Sequence, residues 1–310
     1  MKKFFIILLF NILAVGFILL LFEIYIYNFI FYPSNHLRFP QYKTQIDTNS
    51  FNLIINDRIK YSEESTQKPI LLLGCSYTYG HGLTRDKTLG YKLANLTHRP
   101  IYVLSDLGYG PANILSTLFA EHNINILKEE PEYIFYTYMY DHINRTRPFN
   151  STSLDFLREQ GLLPGIKNSF ADVFYTVKYY KYKKYEKYFN SLSFQESWII
   201  CENYFLAINK KLKEIFPHAK FVILVYSDSP NDLNSRHESM DEFQFSLVTN
   251  KSHWQKIIDS GMTVILTKEL TGRIMDKPED RVRPDFAITP HPSSAAWDEI
   301  VPLLIKKYNL

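Results

Sequence analysis

The sequence predicts an α/β domain built on a parallel sheet of about five strands with helices on both faces, preceded by one apolar N-terminal helix. Three observations predict it. From Lys68 to the C-terminus, short apolar runs alternate with helix-length patterns, and strand–helix alternation argues for a parallel sheet. The first run, Pro69 to Leu73, is continuously apolar and bounded by a proline and a glycine, as a fully buried strand is. Separately, Phe4 to Phe22 is apolar except for Asn11, and about 18 or more such residues span a bilayer.

The N-terminal stretch comes first in the chain. Lys2 and Lys3 precede it, few charges follow, and Ile24 to Tyr32 continues with Tyr25, Tyr27, Phe29, Phe31 and Tyr32 as candidates for an interfacial belt. The apolar run is long and no Ala-x-Ala-like site follows it, which argues against a cleaved signal peptide. The expectation is a single-pass anchor over residues 1–33 in the inner (cytoplasmic) membrane. Its N-terminus would be cytoplasmic and the remaining chain extracytoplasmic, in the periplasm of a Gram-negative cell. Residues 34–67 read as a polar linker with one extended segment at Phe51 to Ile55, and residues 68–310 as the globular domain.

Within that domain the expected strands are Pro69 to Leu73, Ile101 to Leu104, Tyr133 to Tyr138, Lys220 to Tyr226 and Thr263 to Leu266. The expected helices are Arg85 to Leu96, Ala112 to Leu127, Ser197 to Ile215, Ser252 to Ile258 and Ser294 to Lys307. Residues 150–195 break the alternation as a helical, Tyr-rich insertion. Tyr175, Tyr179, Tyr182 and Phe189 share a helical face there. The plain reading is an amphipathic surface helix. The sharper one is a lid with aromatic platforms for a sugar, or a basic face on anionic lipid.

Composition narrows the function. The 310 residues are 46% hydrophobic and 16% aromatic, enough for a full core. A net charge of +3 and no basic-aromatic signature argue against nucleic acid. Cys75 and Cys201 are the two cysteines, which make no disulfide framework. The nine histidines lack His-x-x-x-His or His-x-His spacing, so no metal is expected. No cofactor is implied.

Four stretches carry candidate chemistry. Gly74-Cys75-Ser76 leaves the first strand, placing the Ser76 hydroxyl at the carboxyl edge of the sheet, where open α/β sheets bind ligands. Gly108 and Gly110 follow the second strand and permit close backbone approach. Tyr140-Asp141-His142-Ile143-Asn144-Arg145 follows the third strand, where a structural Asp–Arg pair is the plain alternative. His291 is held between Pro290 and Pro292 before the last helix, a rigid loop position suited to a general base. Cys75 is a rival nucleophile, although a residue before the turn apex points back into the sheet. A phosphate cradle is a further rival, but it lacks a P-loop lysine.

From Lys68 to Leu310 the chain resembles the SGNH (GDSL-type) hydrolase superfamily, with its three-layer flavodoxin-like fold. Gly74-Cys75-Ser76 resembles the first block, with Cys75 in place of the usual Asp. Gly108 and Gly110 resemble the second block, Tyr140-Asp141-His142 stands where the third has Gly-x-Asn-Asp, and His291-Pro292-Ser293 resembles the fifth. The resemblance implies Ser76 as nucleophile, His291 as base and an oxyanion hole drawn from Gly110, Gly108 and the third block. An ionised Asp141 cannot donate, so His142 or Asn144 would stand in there. The position three before His291 is Ile288, not Asp. Asp285 would complete a triad by bending back, or else a carbonyl orients a Ser–His dyad. The implied activity is hydrolysis of a carboxyl ester or O-acyl (acetyl) transfer, on an acylated small molecule or envelope polysaccharide. The alternative is a catalytically degenerate, membrane-anchored glycan-binding or scaffold protein.

Overall fold

The computed structural model describes residues 2–25, 65–119, 129–146, 156–157, 159–162, 184–185, 187–228, 241–282 and 291–310. The chain divides into two units. One takes Met1–Thr44 and Leu163–Leu192, the other Gln45–Leu162 and Ser193–Leu310. The Tyr-rich segment is thus assigned mostly apart from the sheet-bearing unit. Its residues 163–183, the linker up to residue 64 and Asp285 all lie outside the described residues.

In the first unit, helix α1 runs over Lys2–Tyr25. Its side chains are described from Phe10, and Phe10, Leu13, Phe17 and Ile18 are exposed. Among the described residues no helix is long and apolar enough to cross a membrane. The expected span is therefore not shown by the structure.

The second unit is built on five parallel strands: β1 (Ile70–Gly74), β2 (Ile101–Ser105), β3 (Tyr133–Tyr138), β4 (Lys220–Val225) and β5 (Thr263–Leu266). Their order is β2-β1-β3-β4-β5. Every residue of β1, β2 and β3 is buried, which is why these runs are apolar throughout rather than alternating. Pairing keeps the strands level: Gly74 lies opposite Ser105, Leu73 opposite Tyr136, Tyr138 opposite Val225 and Val225 opposite Leu266. The carboxyl ends therefore emerge together. The chain reverses its winding at β1 and β3, the place where open α/β sheets form a crevice.

Two aromatic-rich layers cover the sheet. On one face Ile70, Leu72, Phe135, Val222 and Leu224 share a core with Leu89 and Leu93 of α3 (Leu89–Thr97). Trp297, Ile300, Val301 and Leu304 of the last helix, α9 (Ser294–Tyr308), complete it. On the other face the rings of Tyr136 and Tyr138 meet Phe205 of α5 (Phe194–Ile215) at 4.9 and 6.1 Å. Tyr138 also meets Trp254 edge-on at 4.8 Å. Such edge-to-face pairs stabilise beyond the area they bury.

All five expected strands are present within a residue at their ends. The helices differ where side chains interrupt them. The expected Arg85 to Leu96 helix is a 3₁₀ turn, Arg85–Lys87, followed by α3. Extended Thr88 separates the two and its hydroxyl accepts from the Tyr91 amide at 3.3 Å. The expected Ala112 to Leu127 helix is described as α4 (Pro111–Phe119). The expected Ser252 to Ile258 helix is a 3₁₀ turn, Lys251–Trp254, and then α7 (Gln255–Asp259). The expectation lacked α6 (Glu242–Thr249), whose Asp241 and Gln244 form a reciprocal cap. It also lacked α2 (Ser76–Tyr79) and α8 (Thr267–Thr271), single turns too short to leave a periodic signal.

Gly74 ends β1 at φ +148°. A Cβ there would overlap the Thr78 hydroxyl and come within 3.2 Å of the Thr137 carbonyl. Gly74→Ala is therefore expected to lower unfolding free energy by about 1–3 kcal/mol, the cost of a strained backbone site. Urea denaturation of the full chain measures it, and an unchanged midpoint would remove this constraint on the turn.

Candidate active site

The site begins where β1 stops. Cys75 is extended (φ −111°, ψ −156°) and Ser76 opens the one-turn helix α2. The turn closes on Gly80 at φ +79°, whose amide donates to the Ser76 carbonyl at 2.9 Å, while the Tyr79 amide donates to the Cys75 carbonyl at 2.9 Å. A strand followed at once by a turn places the first turn residue at the carboxyl edge, and its amide has no intrahelical acceptor.

Cys75 belongs to the core. It is fully buried, its thiol lies 3.6 Å from the Met139 sulfur, and burial raises its pKa. A thiol so placed stays protonated and out of reach, so it is not the nucleophile.

His291 arrives from the far end of the sequence. Two short antiparallel strands, β6 (Arg281–Val282) and β7 (His291–Pro292), pair Val282 with His291 and Arg281 with Pro292. The imidazole Nε2 lies 2.7 Å from Ser76 Oγ. Both residues are buried, Ser76 5% and His291 6% exposed, so water competes little for that bond. The ring also lies tilted against Tyr77 at 5.1 Å and meets His81 edge-on at 5.3 Å.

A clamp holds the histidine segment, and sequence reasoning did not find it. Arg273 grips the Asp280 carboxylate with two bonds of 2.6 and 2.8 Å and Glu299 of α9 with bonds of 3.2 and 2.5 Å. The carbonyl of Asp280 then accepts the Ser293 amide at 2.8 Å. The Ser293 hydroxyl bonds the Glu279 carbonyl and caps α9 by accepting from Ala296 at 3.2 Å. His291 is two residues from this knot. The acidic and basic residues involved are scattered in sequence, so no local motif announces them.

The remaining candidates are engaged in contacts of their own. Gly110 donates its amide to the Asn113 side chain at 2.9 Å. A Cβ there would meet Arg145 Cβ at 2.5 Å and the Arg145 carbonyl at 2.9 Å. Its missing side chain thus makes room for the turn after β3, and its amide already has an acceptor. Gly108 is exposed at φ +73°. Asp141 accepts from Asn144 at 2.9 Å and from Arg145 at 2.9 and 2.7 Å. Arg145 in turn donates to the Tyr109 carbonyl at 2.9 Å. Burial works against the Arg145 charge, but Asp141 outweighs it and the net shift is upward. This is the structural Asp–Arg pair, and both members are committed to it.

His142 is fully buried on the α5 face of the sheet, between the Tyr136 and Tyr138 rings at 5.5 and 5.3 Å. Its Nδ1 is 3.0 Å from the Tyr136 hydroxyl. Cys75 and Tyr77, on either side of Ser76, belong to the opposite layer, and His142 packs among the rings of its own layer. Among the described residues no group of three or more His, Cys, Asp or Glu could hold a metal ion.

No family model matches the chain, and no curated protein matches it. Solved structures do. A protein of Slackia heliotrinireducens, provisionally named an SGNH hydrolase, is 14% identical over 78% of this chain and 100% of its own, with a TM-score of 0.44. A lipolytic G-D-S-L family member from Veillonella parvula is 10% identical over 78% of this chain and 99% of its own, at 0.38. An acetyl xylan esterase from the rumen bacterium Butyrivibrio proteoclasticus is 10% identical over 81% of this chain and 64% of its own, at 0.42. The likeness is to SGNH and GDSL-type hydrolases. Likeness of this degree says nothing of activity, and the functional reading stands on the chain's own geometry.

Burial first, and the Arg145 charge second, pull the His142 pKa well below its ordinary value. The folded protein keeps it neutral while the unfolded chain protonates it below about pH 6.5. The unfolded state then binds more protons, so stability falls as pH falls through that point. Each pH unit lost in this window should cost up to about 1.4 kcal/mol. Urea midpoints at pH 7.5 and 5.5 test this: wild type should lose more than His142→Gln. Equal losses would mean His142 is charged in the fold.

Proposed function

We propose that the chain is a Ser–His carboxyl-ester hydrolase or O-acyl transferase. The single observation that carries this is the 2.7 Å bond from His291 Nε2 to Ser76 Oγ, across 215 positions of sequence, at the carboxyl edge of a parallel sheet. A serine hydroxyl needs an adjacent base to become a nucleophile. For that role His291 carries its proton on Nδ1 and leaves Nε2 as acceptor.

The step follows directly. Ser76 Oγ attacks the ester carbonyl carbon while its proton passes to Nε2, and the carbonyl electron pair moves to oxygen. The tetrahedral intermediate expels the alcohol oxygen, which takes the proton back from Nε2, leaving an acyl-serine. Water then attacks the acyl carbon with His291 again as base, or a sugar hydroxyl does so and the acyl group is transferred. The Ser76 amide is a donor for the oxyanion. An acyl ester on an envelope polysaccharide is the substrate class suited to an anchored, extracytoplasmic domain.

Ser76→Ala and His291→Ala are each expected to lower p-nitrophenyl acetate turnover by roughly 10⁴- to 10⁶-fold. The double mutant should be scarcely worse, because groups acting as one unit are strongly non-additive. Fluorophosphonate labelling should follow Ser76. A wild type that neither turns over esters nor takes the label would sink the hydrolase and leave the glycan-binding or scaffold alternative.

The anchor belongs to the same proposal. The support for it is in the sequence, where about 18 or more apolar residues are what a span needs. Phe4 to Phe22 has Asn11 as its one polar residue. The full-length protein should stay with the inner-membrane fraction after a high-salt wash. A mature N-terminus beyond Phe22, or release by salt, would refute the anchor.

A further inference from the structure

An acyl-transfer site needs hydrogen-bond donors aimed at the oxygen that becomes negative. The donors nearest in sequence to that task are committed elsewhere. The Gly110 amide bonds Asn113, Asn144 donates to Asp141, Arg145 grips Asp141 and the Tyr109 carbonyl, and His142 sits in the opposite layer. Besides the Ser76 amide, the Tyr140 hydroxyl is a neutral donor not so committed.

We propose that the Tyr140 hydroxyl is a catalytic oxyanion donor, an inference that rests on the hydrolase or transferase reading of the Ser76–His291 pair. Strand pairing places it. β1 and β3 run level, with Leu73 opposite Tyr136. At their ends the Cys75 and Met139 sulfurs touch at 3.6 Å. One residue further along each chain stand Ser76 and Tyr140, the first residue of α2 and the first of the 3₁₀ turn Tyr140–Arg145. Tyr140 is half-buried and packs against the same cluster as Tyr77 and Met139, and Tyr77 is the ring on which His291 rests. Nucleophile, base and phenol thus share one face and one edge of the sheet.

The chemistry of the phenol suits the role. Among the described residues its hydroxyl makes no hydrogen bond, so a donor is available without breaking an existing contact. Burial first, and the nearby Asp141 and Asp228 carboxylates next, push its ionisation further up from the phenol range. It therefore stays protonated, able to donate to an oxyanion without becoming an anion that repels it. A carboxylate at this position would be an acceptor only.

The test removes one atom. Tyr140→Phe should lower kcat for p-nitrophenyl acetate roughly 100- to 1000-fold, the cost of one lost oxyanion donor, with KM nearly unchanged and the urea midpoint held. Tyr140→Asn, which restores an N–H donor, should recover part of that loss. Wild-type kcat in Tyr140→Phe, or a loss confined to KM, would overturn the inference while leaving the hydrolase reading intact. An equal loss in Tyr140→Asn and Tyr140→Phe with a lowered urea midpoint in both would reduce Tyr140 to a packing residue. A wild type inert toward ester and fluorophosphonate would remove the reading itself, and this inference with it.

Discussion

A strand buried on both faces has to leave its sheet somewhere, and in this protein the whole site depends on how β1 does so. All five residues of Ile70–Gly74 are buried, and both neighbours, β2 and β3, run parallel to it. Parallel neighbours end at the same level, so nothing from the sheet covers the carboxyl end of the middle strand. Gly74 adopts a backbone that a side chain would obstruct. The chain then turns within one residue, sending Cys75 back into the core and Ser76 outward to the edge.

The partner of that serine comes from a region with little regular structure of its own. The ladder that carries His291 is two residues long on each strand, far less than an isolated ladder needs for stability. Its position is instead set by Arg273, which ties Asp280 before the ladder to Glu299 in the helix after it. The Asp280 side chain is 1% exposed. Its carboxyl pKa feels an upward push from burial, yet the bonds from Arg273 hold it below the ordinary value. The buried charge is thus compensated by a bidentate partner, the geometry that makes such a pair worth its desolvation. α9 is in turn anchored by Trp297, Ile300, Val301 and Leu304 in the main core, so core packing reaches the imidazole through three charged side chains.

The aromatic content acts in the same way on both sides of the sheet. Tyr136, Tyr138, Trp198, Phe205 and Trp254 interlock in edge-to-face pairs under α5. Under α9, Tyr77 meets Tyr226 edge-on and Tyr226 lies tilted against Trp297. Large rigid rings order a core at small cost in side-chain entropy. His142 belongs to the first of these clusters by the same logic, as a neutral ring among rings.

Much of this was legible in the sequence because it is governed by local pattern. Continuous apolar runs announce strands buried on both faces, and all five appear where those runs lie. Ser76 and His291 stood out because a hydroxyl after a strand and a histidine between prolines are unusual local contexts. What local pattern cannot carry is how segments far apart are brought together. The Gly110 amide looked available until Asn113 was seen to occupy it. Asp141 and His142 looked equally close to the edge, but one was drawn to Arg145 and the other fell on the opposite face of the sheet. The two lie in the 3₁₀ turn Tyr140–Arg145, and which way each side chain goes depends on the tertiary partners it meets. The Arg273 clamp and the meeting of Cys75 with Met139 at the ends of β1 and β3 are of this second kind. They arise from contacts between residues far apart in the chain, for which the sequence has no local signature.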